Sequence, residues 1–471
     1  MTTPPIILWF RKDLRLADNP ALTAATEFNC PVVPVFILDE DNTRPLGAAS
    51  KWWLHESLAS LSERAPLILR RGHPKRILEQ LVQETGARGV FWNRLYEPET
   101  MSRDTEIKSQ LKELGLDVRS FPGRYLAEPN ILKNKAGGVL KVFTPYWKAL
   151  NSYYETSPLP DPLPVPKVNW ATARSENLTD WHLKPARPNW SLGIAKEWTP
   201  GEGGAWTRFN QFRKSAITTY IDDRNRPDLP KVSRLSPHLH WGEVSVNQLW
   251  HATKSHGSSR SHEHFLKELT WRDFAAYLLF HFPSLPTKNW RLDFDNFPWV
   301  EDSAMLEQWQ KGQTGYPIVD AGMRELYETG WMHNRVRMIV ASFLVKHMLH
   351  PWQSGERWFW DTLVDADPAT NPASWQWVAG CGADAAPYFR IFNPIGQAEK
   401  FDPDGTYIKK WVPELARLPK QFLAKPWEAS PLILHAADVK LGENYPTPMV
   451  KHEHARARAL EAFQSIKKEA A

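Results

Sequence analysis

Asp365 and Asp367 stand one residue apart, and the amide Asn371 and the tryptophans Trp375 and Trp377 follow them. Pro368 and Pro372 break the backbone around them, so the two carboxylates fall in a loop. A core packed only for stability would not set two acids and an amide beside such aromatics, because buried carboxylates and amides need partners. The same residue types also cap a helix from an exposed loop. The stretch taken alone leaves both readings open.

Two further constellations share helix faces. Glu268, Trp271 and Arg272 fall at i, i+3 and i+4 within Phe265–Phe274, so they project from one face, either as an exposed ion pair with an aromatic lid or as the wall of a site. Asn334, Arg337 and Met338 repeat that spacing at the start of an apolar run that reads as one helix to Leu349. A buried arginine there needs a carboxylate, whereas a helical methionine is ordinarily core filler. Ser233-Arg234-Leu235-Ser236 reads as a turn opening a helix. Free N–H groups and hydroxyls at such a turn suit an anion, and a plain serine cap fits it equally. There is no Ser-His-Asp set and no H-E-x-x-H. The 16 histidines are scattered, and His452-Glu-His454 reads as a solvated face of a basic helix. No metal is expected.

The elements that must position these groups divide the chain. Its 471 residues exceed one small core, so two domains or more are expected. Runs at Ile6–Phe10, Val32–Leu38, Leu67–Arg70, Gly89–Trp92 and Val118–Phe121 alternate with helical patterns at Ala49–Glu63, Pro74–Thr85 and Asp104–Leu114. That alternation predicts a parallel sheet covered on both faces, with ligands at the carboxyl ends of its strands. No G-x-G-x-x-G follows the first strand. Asn93 and Glu97 fall just past a strand, where either a ligand or a plain loop would lie. Pro158–Pro166 holds alternate prolines and reads as a stiff connection. From Trp206 onward helical periodicity dominates, with Arg208–Arg224 read as one amphipathic helix and Glu453–Lys468 as the last.

The net charge of +5 is compatible with nucleic acid but weak as a signal. Two cysteines argue against a disulfide scaffold and a four-cysteine cluster. No run suits a signal peptide or a membrane span, so a cytoplasmic chain is expected. The unusual number is 24 tryptophans, which packing does not require.

The stretch Asp365–Trp377, with Ala385–Pro394 after it, resembles the flavin-binding signature of the DNA photolyases and cryptochromes. It is most similar to that of bacterial cyclobutane pyrimidine dimer photolyases, in the subgroup nearest the plant cryptochromes. Trp9–Pro20, Trp52-Trp53 and Trp92–Glu97 resemble the family's antenna domain, and the likeness runs over nearly the whole chain. It implies an α/β N-terminal parallel-sheet antenna domain over 1–128. A long interdomain connection over 129–204 and an all-α C-terminal FAD-binding catalytic domain over 205–471 would follow.

The implied activity is light-driven repair of pyrimidine dimers in DNA, by electron transfer from excited reduced FAD to a flipped-out lesion. A cyclobutane dimer is a closed-shell, uncharged ring with no proton to remove. Acid–base residues open it poorly, whereas one injected electron splits it. Flavin supplies that electron chemistry, and the protein supplies binding, orientation and electrostatics. By resemblance, Asn371 lies at the flavin nitrogen that takes a proton, Asp365 and Asp367 meet the flavin edge, and Asp365 pairs with Arg337. Tyr220, Ser233, Arg234, Leu235, Ser236, Arg272 and Arg337 also hold the cofactor, with Val232 where many relatives have threonine. Glu268, Trp271, Asn334, Met338 and Trp377 meet the lesion, with Glu268, Asn334, Met338 and Asn371 as the catalytic set. Trp375, Trp352 and Trp299 match the family's electron chain. The implied antenna pigment is methenyltetrahydrofolate, with 8-hydroxy-deazaflavin as the alternative. The partner is dimer-containing DNA, and a monomer is expected.

A signalling cryptochrome is the competing reading. His238-Leu-His-Trp-Gly-Glu243 resembles plant-type cryptochromes and the bacterial photolyases nearest them, while Asn371, Met338 and Glu268 favour repair. A generic flavin electron carrier leaves the lesion-facing aromatics unexplained.

Overall fold

A computed structural model describes residues 3–39, 44–385 and 389–469. Five strands, β1 (Ile6–Phe10), β2 (Val32–Leu38), β3 (Ile68–Arg71), β4 (Gly89–Asn93) and β5 (Asp117–Phe121), form one sheet in the order β3-β2-β1-β4-β5. Every pairing is parallel, with Trp9 opposite Val35 and Leu8 opposite Phe91. Strands β1, β2 and β4 are buried along their whole length, as apolar runs covered on two faces must be. Helices α1 (Pro20–Thr26), α2 (Ala48–Ser62), α3 (Pro74–Thr85) and α4 (Pro98–Glu113) supply the cover. Helix α4 starts six residues before the expected Asp104 because Pro98 sets its first turn.

The strand order reverses between β1 and β4, the place where such sheets bind ligands. Here the chain's own side chains occupy it. Asn93 closes β4 fully buried, donating to Asp13 Oδ2 at 2.6 Å and to Asn19 Oδ1 at 2.7 Å, and accepting from the Ala21 N–H at 3.1 Å. Asn93 is therefore a buried strand residue and not part of a plain loop, its side chain committed to the chain's own groups. Arg15, 1% exposed, reaches across the join with the helical half: it donates to Asp18 O at 2.7 Å, Gly123 O at 3.0 Å and Gly242 O at 3.0 Å. Trp53 donates to Glu243 at 2.9 Å and sets its ring edge-on to Trp198.

The expected long connection is not uniformly extended. It contains α5 (Phe143–Thr156), which buries Phe143, Tyr146 and Leu150 at helical spacing, and the short α6 (Leu192–Glu197). The remaining helices are α7 (Glu202–Ser215), α8 (Tyr220–Asp223), α9 (Ser236–Trp241), α10 (Val246–His256), α11 (Arg260–His281), α12 (Ser303–Gln310), α13 (Pro317–Thr329), α14 (Asn334–Ser342), α15 (Trp352–Thr362), α16 (Thr370–Ala379), α17 (Pro394–Phe401), α18 (Thr406–Trp411), α19 (Pro431–Ala436) and α20 (His452–Glu469). The single helix expected over Arg208–Arg224 is broken: β-branched Ile217-Thr-Thr219 forms a 3₁₀ turn between α7 and α8, with Ile217 drawn into the core. The helix expected to reach Leu349 also changes character, because α14 passes into a π turn at Phe343–His347 whose five side chains are all buried.

Candidate active site

Helix α14 and the loop before α16 meet through one ion pair. Arg337 Nη2 lies 2.8 and 3.1 Å from the two Asp365 oxygens, and its Nε donates to Met332 O at 2.8 Å. Asp367 plays both parts the sequence left open. Its Oδ1 accepts the Ala369 and Thr370 N–H groups at 3.0 Å each, satisfying the start of α16. Its Oδ2 lies 3.2 Å from His240 Nδ1 and 3.6 Å from Arg124 Nη2. Burial opposes ionisation of Asp367, yet the His240 hydrogen bond and the charges of Lys12 and Arg124 hold it well below the usual carboxylate range. Burial pulls His240 down to about 4, so its imidazole is neutral near pH 7.

Asn371 follows as the second residue of α16. Its Nδ2 donates to Glu356 Oε1 at 2.8 Å and to Glu356 O at 3.1 Å. Arg44 closes on the same carboxylate at 2.7 and 2.8 Å. This chain commits the amide nitrogen to protein and leaves the carbonyl oxygen as the free acceptor.

Helix α11 carries the second wall. Trp271 stacks on Phe143 with centroids 3.8 Å apart and planes at 6°. Arg272 donates to Arg124 O at 3.0 Å and Leu239 O at 3.2 Å, and lies 4.9 Å over the Tyr125 ring. Glu268 pairs with Arg224, and burial pushes its carboxyl up against that charge. On α14, Asn334 is exposed and Met338 is half-buried against the core. Arg335 holds Asn225 Oδ1 at 2.8 Å, and burial with the charges of Arg224 and Arg390 brings it down to about 10. Arg224, Arg335 and Arg390 thus form a basic group beside these two helices. Trp377 is half-buried and donates to Asp384 O at 2.9 Å. Residues 386–388 of the expected signature lie outside the described residues.

The turn before α9 is built around Arg234, at φ 53°. Its guanidinium pairs with Glu197 and lies 4.6 Å from the Trp198 ring and 4.5 Å from the Trp331 ring. Leu235 is buried, Ser233 half-buried, and Ser236 Oγ accepts from Trp331 Nε1 at 3.2 Å. Tyr220 packs edge-on to Phe212 and Phe265, inside an aromatic cluster.

Trp375 and Trp352 are buried, whereas Trp299 is half-buried. Trp352 Nε1 donates to Asn289 Oδ1 at 2.8 Å. Among the described residues, Trp375 meets the rings of Phe359 at 5.0 Å and Trp309 at 6.2 Å, both edge-on.

These residues fit FAD. Arg234 Nε and Nη2, Arg124 Nη2 and Trp375 Nε1 are buried with no hydrogen-bond partner among the described residues, and such donors call for a polar guest. Sequence reasoning missed Glu356, Arg124, Arg224 and Phe143. Glu356 and Arg44 are 312 residues apart, a separation no local pattern reports. Phe143 sits in a segment that reads as connection, although its spacing to Tyr146 and Leu150 is a helical signal.

The family model for the FAD binding domain of DNA photolyase matches residues 265–465, and that for DNA photolyase matches residues 6–167. A deoxyribodipyrimidine photo-lyase of Agrobacterium fabrum is 51% identical, over 99% of each chain. Cryptochrome-2 of Arabidopsis thaliana is 37% identical over 97% of this chain and 78% of its own. The crystal structure of a bacterial class III photolyase from Agrobacterium tumefaciens superposes with a TM-score of 0.95 at 50% identity, covering 99% of this chain and 98% of its own. With both halves matched by their family models and a relative 51% identical over 99% of each chain, the chain belongs to the DNA photolyase family, whose plant cryptochromes are among its relatives.

Proposed function

We propose that this protein repairs cyclobutane pyrimidine dimers in DNA under light, with FAD as its catalytic cofactor. The observation that carries this reading is the α11 face, where Trp271 presents a ring stacked on Phe143 one turn from a half-buried Glu268–Arg224 pair. A flat aromatic platform beside a carboxylate suits two stacked pyrimidines whose edges offer N–H donors. Extrusion of a damaged base costs less than that of a paired one, and photolyases are themselves among the enzymes for which base flipping is known.

When bound and excited, reduced FAD supplies the electron that opens the dimer ring. The chain's residues do the rest. Asp365 and Arg337 fix the spacing of α14 and α16. Glu356 sets the Asn371 amide so that its oxygen is the acceptor. Asp367, with His240 neutral beside it, offers fixed negative charge in a buried position. Met338 and Asn334 present to the lesion, and Tyr220, Ser233, Arg234, Leu235, Ser236 and Arg272 to the cofactor. Trp377 packs on the dimer opposite Trp271. Arg224, Arg335 and Arg390 take phosphates, which gives affinity without sequence readout. Trp299, Trp352 and Trp375 relay electrons inward to oxidised flavin, and burial rising from Trp299 to Trp352 and Trp375 supports that direction.

The same reading sets the functional divisions at 1–128, 129–204 and 205–471, makes the protein a cytoplasmic monomer, and assigns methenyltetrahydrofolate as the antenna pigment. Among the described residues no helix is long and apolar enough to cross a membrane. An absorption band in the near ultraviolet beyond that of flavin supports folate, and one at the blue-violet boundary replaces it with deazaflavin. The deciding experiment for function irradiates the FAD-reduced protein with dimer-containing single-stranded DNA and assays dimer loss. Loss in light and none in darkness is expected; intact dimers in light would leave a cryptochrome-type photoreceptor.

A further inference from the structure

On the edge strand of the sheet lies a cavity of about 400 Å³ that the repair chemistry does not use. Its lining includes Arg70, Arg71, Arg76, Arg174, His73 and Glu176. Strand β3 delivers the first two arginines at its carboxyl end. The chain then turns through Gly72, at φ 127°, and enters α3 at Pro74. His73 gives the helix no side-chain cap, so the N–H groups of Lys75 and Arg76 at the first turn remain available. The segment Arg70-Arg-Gly-His-Pro-Lys-Arg76 is the densest cationic run in this half, and the active site does not absorb it.

The partners sort the four guanidinium groups into two sets. Arg70 is fixed, donating to Glu84 at 2.5 Å and to Arg174 O at 2.9 Å. Arg71 Nη2 donates to Asp180 O at 3.0 Å. Among the described residues Glu176 is the one carboxylate in the lining, and it is committed to the Arg71 N–H at 3.0 Å and to Trp181 Nε1 at 2.8 Å. Arg76 and Arg174 are exposed at the cavity, with no side-chain partner among the described residues. The lining therefore holds four guanidinium groups, of which Arg70 is paired with Glu84 and Arg76 and Arg174 are open to a guest, against one committed carboxylate and beside the positive end of a 12-residue helix.

We propose that this cavity binds an oligophosphate anion, the di- or triphosphate part of a small molecule. Planar guanidinium forks match phosphoryl oxygens two at a time. An uncapped helix start adds backbone donors, and a glycine before it lets an anion approach the chain closely. Among the described residues no aromatic ring but the His73 imidazole lines the cavity, so recognition rests on the phosphates and not on a stacked base. A cavity of this size suits a compact anion better than a duplex, whose phosphates are spread along a line.

The test is calorimetric titration of sodium tripolyphosphate into the FAD-loaded full chain, which keeps the flavin site occupied. One saturable site is expected, weakening as salt rises. Arg76→Ala/Arg174→Ala should raise Kd roughly tenfold or more, and Arg76→Lys/Arg174→Lys, which keeps the charges and loses the forks, should fall between. Both residues are exposed, so the variants should keep the fold and the dimer repair of the parent. No saturable heat at millimolar tripolyphosphate, or equal affinity in the alanine variant, would overturn the proposal. Displacement of tripolyphosphate by undamaged duplex DNA would overturn it too, by making the cavity a backbone contact.

Discussion

Trp375 touches both the cofactor question and the packing question, and one substitution separates them. Trp375→Phe keeps most of the apolar volume, so folding and flavin retention should survive. Its ring resists oxidation far more than indole does, so photoreduction of oxidised flavin should slow severely, while chemically reduced protein should repair dimers at the parental yield. Parental photoreduction would remove Trp375 from the relay; lost repair after reduction would make it a wall of the lesion site. Asp273, the neighbour of Arg272, makes a prediction about pH. Burial pushes its carboxyl up to about 7, against the Arg272 charge and the Leu126 N–H at 2.5 Å. A folded pKa above the ordinary value of about 3.9 means that the native state binds the proton more tightly, so this group's contribution to stability falls as pH rises from about 4 to about 7. Asp273→Asn keeps the acceptor for Leu126 and cannot ionise. Its urea midpoint should exceed that of the parent at pH 8 by more than at pH 5, and an equal difference at both would rule the titration out.

At the scale of elements, α15 and α16 cross at a glycine. A Cβ on Gly355 would lie 2.6 Å from Trp375 Cζ2 and 2.6 Å from Leu344 Cδ2. Helix propensity alone favours Gly355→Ala by about 1 kcal/mol, while overpacking a buried contact costs about 1–3 kcal/mol. The second effect should win, because both neighbours are themselves buried. The variant should melt earlier than the parent and photoreduce its flavin more slowly as Trp375 is displaced; a higher melting temperature would show that the helices separate freely. The strands and the α3 boundaries were legible because apolar runs and a Pro-to-Gly bracket are local signals. Helix α5 was not, because the proline-rich sequence that follows it led the whole segment to read as connection despite its helical spacing. The π turn after α14 was not, because one extra residue in a turn leaves the apolar run looking continuous. Of the candidate site, the helix faces carrying Glu268–Arg272 and Asn334–Met338 could be read from spacing, and so could the need of Arg337 for an acid. Which acid it takes, and that Glu356 grips Asn371, depend on contacts between separate helices that no spacing encodes.

For the whole molecule, the join between sheet and helices is made of buried polar contacts. Arg15 donates to carbonyls on three segments, and Asp18 receives Ser245 Oγ and the Leu163 N–H. The two halves should therefore melt in one calorimetric transition. Arg15→Met strips buried carbonyls of their donor at about 1–3 kcal/mol apiece before relaxation, so a loss of about 3–5 kcal/mol is expected, with the single transition splitting in two. A single transition at the parental temperature would show the halves to be independent. The same contacts set a schedule for synthesis. Arg15 and Gly242 are 227 residues apart, as are Asp18 and Ser245. At about 5–20 residues per second, the ribosome delivers the second partner roughly 10–45 s after the first. Through that interval the nascent sheet carries a cation and a carboxylate whose last partners, Gly242 and Ser245, have not yet been made. Slowed elongation between the codons for Asn19 and His240 lengthens its exposure to proteases and chaperones without changing a single residue of the finished protein.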